Sequence, residues 1–246
     1  MTSLARGLEV MRTLSQSSSE LKMPEISKQT NLSRAVVRRC LYTLEELGYV
    51  ESNSLSFRLL PKVLSLGQSY YGAKALPQIA QPFLDQVHHE TGESCSLAIL
   101  DGQEVIYIAR TTSSRIMNVS LNIGSRLPSF CTSLGRALLA HLSPEELRDH
   151  LSKESYQPLT ANTLTTISEL TKEINQVAED GYALVDQELE VGLRSLSVPV
   201  KNQLGSVIAA MNVGVSASRI SNAHMRQIIL PVLKNAAKLL SEEISL

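Results

Sequence analysis

The chain has 246 residues, a formal net charge of −1, 43% hydrophobic residues and 19% charged residues, which is the composition of an ordinary globular protein. The near-neutral charge argues against a non-specific binder of polyanions, although positive charge can still be concentrated at one place. No run of about 18 apolar residues exists and the first residues, MTSLARGLEVM, lack an apolar signal segment, so we expect neither a membrane span nor a signal peptide.

Helix and turn signals alternate in the N-terminal part of the chain. Residues 4–15 place apolar side chains at helical spacing, residues 23–30 form a short helix, and residues 33–47 form a longer helix that Gly48 ends. The segments YVES and FRLLP, on either side of the polar NSLS, then predict a β-hairpin. The sequence therefore predicts three helices followed by a hairpin, in a domain over residues 1–61.

The rest of the chain predicts a linker helix and a larger domain. Residues 62–76 are weakly helical and favour the linker, and residues 77–246 mix hairpins with helices. SCSLAIL and EVIYIAR flank the turn Asp101-Gly102, RIMNVSL is a third strand, and RSLSVPV with SVIAAMNVGV forms a second hairpin. Helices are predicted over residues 78–91, in TSLGRALLAHL, PEELRDHL and TISELTKEINQVAEDG, and from Ser218 onward, with a kink at Pro231. Because no βαβ rhythm appears, we expect an α+β domain on a mainly antiparallel sheet.

The helix over residues 33–47 carries three arginines near its N-terminus. Its apolar face, which includes Val37, Leu41 and Leu44, leaves a polar face that a DNA major groove can accept. Arginine there can bind a guanine edge or a phosphate, and the hairpin can contact the DNA backbone as a wing. The alternative is a solvated face, but the order of short helix, break, second helix and hairpin favours a winged helix-turn-helix. The predicted DNA-binding residues are Ser33, Arg34, Ala35, Arg38, Arg39, Tyr42 and Arg58.

Several motifs together resemble one protein family. ARGLEVMRTL and MPEISKQTNLSRAVVRRCLYTLEELGYV are similar to the DNA-binding domain of IclR-type bacterial transcription regulators. CTSLGRALLAHLSPEEL, AEDGYALVDQELEVGLRSLSVPV and GSVIAAMNVGV resemble the effector-binding domain of that family. Details such as CTSLGRALLA are similar to the branch that controls aromatic-acid catabolism. The resemblance implies a C-terminal GAF/PAS-like domain, a homodimer or tetramer, and a double-stranded DNA operator.

The segment before and into the helix TSLGRALLAHL is a candidate wall of a small-molecule pocket. Free backbone N–H groups and hydroxyls in this segment suit a small organic acid, and Arg136 is either a further charge or an outward surface residue. The predicted effector-binding residues of this wall are Ser129, Thr132, Ser133, Leu134 and Gly135.

The resemblance supplies a facing wall for that pocket. Its residues are Asp186, Ser195, Ser197, Asn212 and Gly214. Asp186 and Glu188 can equally be solvated loop acids, and we expect Met117 and Tyr107 in the core rather than in the pocket.

Two other classes of function are weighed against a regulator. An enzyme would need a catalytic constellation, but Cys131 and His141 are about 15 Å apart along one helix, and no zinc spacing, G-x-S-x-G or phosphate-binding loop is present. We therefore expect no catalytic residue, metal or cofactor. The three dispersed cysteines are typical of reduced thiols in a cytoplasmic protein. The remaining alternative is an interaction or oligomerisation module without a small-molecule effector.

Overall fold

The computed structural model describes residues 2–17, 19–53, 55–67, 75–111, 121–153 and 156–244. It divides into two compact units, residues 1–72 and 73–246, and the division falls within the predicted linker. Pro61–Gly67, which overlap the start of the weakly helical linker that the sequence predicts, form a 3-10 helix. Residues 68–74 of that linker and residues 115–120 of the predicted strand RIMNVSL lie outside the described residues.

The N-terminal unit contains the predicted helices and hairpin. Its elements are α1 (Thr2–Gln16), β1 (Leu21–Lys22), α2 (Met23–Thr30), α3 (Arg34–Glu46), β2 (Val50–Asn53) and β3 (Ser56–Leu59). The strands form an antiparallel sheet in the order β1-β3-β2. This arrangement is a winged helix-turn-helix, in which β2 and β3 form the wing.

A short polar turn fixes the angle between α2 and α3. Asn31 ends α2 in the left-handed region, at φ 53°, a conformation that asparagine tolerates better than most residues. The Ser27 hydroxyl donates to the Leu32 carbonyl at 2.6 Å and holds the turn. Val10 of α1, Ile26 of α2 and Val37 of α3 then meet in one fully buried core, so the outward face of α3 is set by its inward face.

The C-terminal unit is an α+β domain, as predicted. Its elements are α4 (Leu76–Thr91), β4 (Ser94–Asp101), β5 (Glu104–Arg110), β6 (Arg126–Pro128), α5 (Ser133–Leu139), α6 (Pro144–Ser152), α7 (Ile167–Asp180), β7 (Ala183–Asp186), β8 (Leu193–Lys201), β9 (Val207–Ser216), α8 (Asn222–His224) and α9 (Leu230–Glu243). A π-helical turn, Met225–Ile229, leads into α9 just before Pro231, where the sequence predicts a kink.

The six described strands of this unit form one antiparallel sheet, in the order β6-β5-β4-β9-β8-β7. Successive residues of a strand point to opposite faces. On β4, Leu97 packs in the core that also contains Leu84 of α4 and Leu233 of α9. The next residue, Ala98, packs with Leu134 of α5. The sheet therefore lies between α4 and α9 on one face and α5 on the other. No helix in the described part of the chain is long and apolar enough to cross a membrane.

Candidate functional site

The outward face of α3 is the candidate nucleic-acid surface. Six of the predicted contacts are solvent-exposed, namely Ser33, Arg34, Ala35, Arg38, Arg39 and Tyr42. Arg34, Arg38 and Tyr42 follow one another at intervals of four residues and so form one line along the helix. The described salt bridges of this unit use Arg12 and Arg58 and give the arginines of α3 no carboxylate partner. Positive charge therefore projects from a helix that its buried face holds in place.

Two of the predicted DNA contacts have a different setting. Arg39 borders a groove between α1 and α3, together with Arg6, so it flanks the line of Arg34, Arg38 and Tyr42. Arg58 of the wing is exposed, but its guanidinium lies 2.6 Å from the Glu51 carboxylate. The Glu51 carboxylate therefore partly neutralises the charge of Arg58. That these residues contact DNA stays a prediction.

The C-terminal unit contains a small cavity of about 40 Å³ on the face of the sheet that carries α5. All six described strands of the sheet and the start of α5 contribute residues to its lining. Its polar lining residues are Ser94, Ser96, Tyr107, Arg110, Cys131, Thr132, Ser133, Glu190, Ser195 and Asn212, and its other lining residues are Leu121, Leu127, Val185, Leu189, Leu193 and Gly214. Polar groups that converge between leucine and valine side chains suit a small organic molecule that carries both a polar and an apolar part.

Five of the predicted effector residues line this cavity: Thr132, Ser133, Ser195, Asn212 and Gly214. The Thr132 hydroxyl caps α5, since it accepts from the Gly135 amide at 3.2 Å and donates to the Pro128 carbonyl at 2.9 Å. Ser133 has no such partner among the described residues. Ser133 therefore has the hydroxyl that remains available to a ligand. Which lining residues bind an effector stays a prediction.

Other predicted effector residues lie behind the lining and hold it in place. Ser129 is buried, and its hydroxyl lies 3.0 Å from His150 Nε2. Leu134 packs in the core below the sheet. Gly135 lies so close to the Ser129 backbone that a Cβ there would be 2.0 Å from the Ser129 carbonyl oxygen, and only glycine fits. Burial thus gives these residues a packing role in the structure.

Two predicted residues of the facing wall are also engaged elsewhere. The Asp186 carboxylate accepts from Arg194 at 2.8 Å and from Asn222 at 3.1 Å, and the Arg194 contact holds the pKa of Asp186 below its usual value. The Ser197 hydroxyl donates to the Met211 carbonyl at 3.0 Å. Neither residue lines the cavity.

The expectations for Tyr107, Arg136 and Glu188 were wrong in part. Tyr107 is in the core, as expected, but it also lines the cavity. Arg136 is neither a pocket charge nor a surface residue, because it is 1% exposed and forms a two-pronged ion pair with Glu188 at 2.5 and 2.6 Å. Glu188 is 7% exposed and is therefore not a solvated loop acid. Met117 lies outside the described residues.

Arg110 and Glu190 are the charged cavity residues that sequence reasoning missed, and Arg110 is the cationic one. It ends β5, and its Nη1 donates to the Leu121 carbonyl. Burial lowers the pKa of its guanidinium from the ordinary 12.5, but the group remains charged at neutral pH because arginine does not deprotonate in proteins. Arg110 lies opposite Ser96 of β4, and Ser96 pairs on its other side with Asn212 of β9. These three polar residues therefore form one row across the sheet. A polar residue at the end of an apolar strand was the available signal.

Unsatisfied polar atoms concentrate at this cavity. In the described part of the chain, the buried side-chain atoms without a hydrogen-bond partner are Arg110 Nε, Ser133 Oγ, Arg194 Nε, Asn212 Oδ1 and Asn222 Oδ1. Three of the five belong to lining residues. A buried polar atom without a partner costs about 1–3 kcal/mol, so the concentration indicates a place prepared for a polar ligand.

Among the described lining residues, Cys131 is the one thiol to consider as a nucleophile or metal ligand. Burial raises the pKa of this thiol to about 12, and a protonated thiol is a poor nucleophile. Within the described ranges, no group of three or more histidine, cysteine or acidic residues could hold a metal ion.

Comparison with known proteins places the chain in a family. The IclR helix-turn-helix domain matches residues 3–54, and the C-terminal domain of the bacterial transcriptional regulator IclR matches residues 68–242. The Pca regulon regulatory protein of Pseudomonas putida is 42% identical over 97% of this chain and 82% of its own length. The crystal structure of a candidate transcriptional regulator, RHA06195, from Rhodococcus sp. RHA1 is 41% identical, with a TM-score of 0.86 over 99% of this chain and 98% of that one.

A third relative has been solved with a ligand. It is a double mutant of the inducer-binding domain of the PobR transcription factor from Acinetobacter, in complex with 3-hydroxybenzoic acid. It is 31% identical to this chain, with a TM-score of 0.64 over 67% of this chain and 97% of that one. The two family matches together span most of the sequence and agree with the observed winged helix-turn-helix and α+β units. The chain belongs to the IclR family of bacterial transcriptional regulators.

Proposed function

We propose that this protein is a transcription regulator that responds to a small aromatic acid. It binds a double-stranded DNA operator through the outward face of α3 and the β2–β3 wing. It binds the acid in the C-terminal cavity.

The observation that carries the proposal is the set of unsatisfied polar atoms around one apolar cavity. Arg110 offers a charged donor and Ser133 a hydroxyl, while Leu127, Leu189 and Leu193 offer apolar walls. An aromatic carboxylic acid matches this combination, because its carboxylate pairs with the guanidinium and its ring packs on leucine. The PobR inducer-binding domain in complex with 3-hydroxybenzoic acid supports this class of ligand.

The size of the cavity supplies a way to couple ligand binding to conformation. A cavity that holds benzene has a volume of about 150 Å³, whereas this cavity has about 40 Å³. An aromatic acid can therefore enter only if the walls move apart. A ligand that favours the expanded state can change DNA affinity about 5- to 150-fold, which corresponds to about 1–3 kcal/mol of coupling.

We further propose that the protein acts in the cytoplasm as a homodimer or a tetramer. Exposed apolar side chains support self-association in the N-terminal unit. Leu4 and Leu8 of α1 are 65% and 55% exposed, and Leu47 after α3 is 51% exposed. All three line the groove between α1 and α3. Apolar surface of this kind marks an interaction site, and a second copy would place two recognition helices on a two-fold symmetric operator.

Titration calorimetry with 3-hydroxybenzoate and 4-hydroxybenzoate tests the effector site. We expect saturable binding to the wild type, and a loss of about 10- to 150-fold in affinity for Arg110→Met, because a hydrogen bond to a charged group contributes about 1.5–3 kcal/mol. Arg126→Met is the matched control, since Arg126 is paired with Asp101 and Glu104 outside the cavity. Equal affinities in the wild type and Arg110→Met would remove Arg110 from the site, and no binding by the wild type would refute these acids as effectors.

A further inference from the structure

The largest fully buried side chain in the described part of the C-terminal unit is a charged one, Arg136. Its Nε donates to the Phe130 carbonyl at 2.9 Å, and its Nη1 and Nη2 donate to the two carboxylate oxygens of Glu188 at 2.6 and 2.5 Å. Glu173 of α7 approaches only to 4.0 Å and is partly exposed. A buried ion pair seldom stabilises a fold more than apolar residues of similar volume do. Stability alone therefore does not explain this pair.

The two partners of Arg136 stand directly before two parts of the cavity lining. Phe130 precedes Cys131, and Glu188 precedes Leu189 and Glu190. Neither Arg136 nor Glu188 lines the cavity. One guanidinium thus joins two wall segments that are far apart in sequence, since Glu188 follows Arg136 by 52 residues.

Glu188 anchors the second wall segment through both its side chain and its backbone. Its carboxylate also accepts from the Leu164 amide at 3.2 Å, and its backbone carbonyl accepts from the Thr163 hydroxyl at 2.7 Å. After Glu188, the next backbone amides with a hydrogen bond are those of Gly192, which donates to the Gln187 side chain at 3.0 Å, and Leu193, which donates to the Glu190 carbonyl at 3.2 Å. Leu189 and Glu190 therefore extend into the lining from a base that Arg136 holds.

We propose that Arg136 and Glu188 are positioning residues of the effector cavity. Their ion pair sets the separation between the Cys131–Ser133 segment and the Leu189–Glu190 segment, and it thereby sets the shape of the ligand that the cavity accepts. The inference rests on the proposed function, since it assigns the cavity to the effector. Arg136 and Glu188 do not contact the ligand and act through the two lining segments that they hold in place.

The test is a variant that removes the charges but keeps the packing. In Arg136→Met/Glu188→Leu we expect a folded protein, because an apolar pair of similar volume can replace a buried ion pair, with a melting temperature lowered only by the loss of the hydrogen bonds to the Phe130 carbonyl and the Leu164 amide. DNA affinity should be unchanged, while affinity for 3-hydroxybenzoate should fall about tenfold or more, because a loosened wall no longer fits the ligand. If the ion pair only stabilises the fold, the double variant should instead keep its ligand affinity whenever it keeps its stability. Affinity within about twofold of the wild type, in the folded double variant, would overturn the proposal.

Two further measurements cover the other outcomes. If the apolar pair disturbs folding, Arg136→Lys keeps the charge but loses the fork that binds both carboxylate oxygens, and the same tenfold loss of affinity is expected. The matched control is Asp149→Asn, which breaks an exposed ion pair with Lys153. Unchanged ligand affinity in Arg136→Lys would contradict the proposal.

Hydrogen exchange separates this inference from the proposed function because it needs no ligand. In Arg136→Lys, the amides of Gly192 and Leu193 should exchange about tenfold faster than in the wild type, while those of β4 and β9 keep their protection. Equal exchange at Gly192 and Leu193 would overturn the inference. Faster exchange in a protein whose wild type binds neither hydroxybenzoate would support the positioning role and refute only the proposed class of effector.

Discussion

The substitution Gly135→Ala changes the free energy of unfolding through two opposing effects, a gain in helix propensity and a loss in packing. In an exposed helix, exchanging glycine for alanine stabilises by about 1 kcal/mol. Gly135 lies in α5, but a Cβ there would be 2.0 Å from the Ser129 carbonyl oxygen, and real Cβ contacts are essentially never below 3.0 Å. The start of α5 or the Ser129 backbone must therefore move by about 1 Å or more, which is a severe case of overpacking at about 3 kcal/mol. The net expectation is a loss of about 2 kcal/mol.

Thermal unfolding followed by circular dichroism measures this loss. For a unit of this size, about 2 kcal/mol corresponds to a decrease of about 4–8 °C in melting temperature. The same movement displaces Ser133, so ligand affinity should fall as well. Ala178→Gly, on the exposed side of α7, is the control for propensity alone and should cost about 1 kcal/mol. A Gly135→Ala protein more stable than the wild type would refute the close contact and the packing role assigned to Gly135.

Three other substitutions test separate parts of the account. Arg38→Ala should weaken specific DNA binding by about 1–3 kcal/mol if Arg38 contacts a base; if it contacts only phosphate, specific and non-specific binding should weaken together and the salt slope should decrease by about one unit in anisotropy titrations. Ser133→Leu should abolish the effector response and leave DNA affinity unchanged, and a retained response would exclude Ser133 from the site. Burial, followed by Lys153, lowers the pKa of His150 from 6.5, so stability should be complete above pH 6.5 and decrease as the pH falls through the lower folded-state pKa. His150→Gln should flatten that decrease in melting temperature, and an unchanged pH profile would contradict the assignment.

Local signals predicted the helices of the N-terminal unit well. The predicted range of α2, residues 23–30, coincides with the observed range, Met23–Thr30. A proline in the first turn marks the start of the helix, and an asparagine in the left-handed conformation ends it. The two strands β6 and β7 were missed because they contain only three and four residues, too few for an alternating pattern. The pairing of β4 with β9, which joins the two predicted hairpins into one sheet, depends on contacts far apart in sequence that no local pattern encodes.

The cavity was predicted in part, for a similar reason. The serine and threonine cluster at the start of α5 predicted one wall, and Thr132 and Ser133 of that cluster line the cavity. Arg110 was missed because the direction of a side chain at a strand end depends on the neighbouring strands, here β4 and β9. Arg136 looks like any arginine on a helix until its partner is known. That partner, Glu188, follows 52 residues later, and only the folded chain brings the two together.

Control of DNA binding by an aromatic acid can be measured by fluorescence anisotropy. The labelled DNA comes from upstream of the protein's own gene and is titrated with the protein, with and without 3- and 4-hydroxybenzoate. We expect saturable, salt-sensitive binding whose Kd changes about 5- to 150-fold in the presence of one of the acids. Saturable DNA binding with the same Kd under all conditions would contradict this expectation.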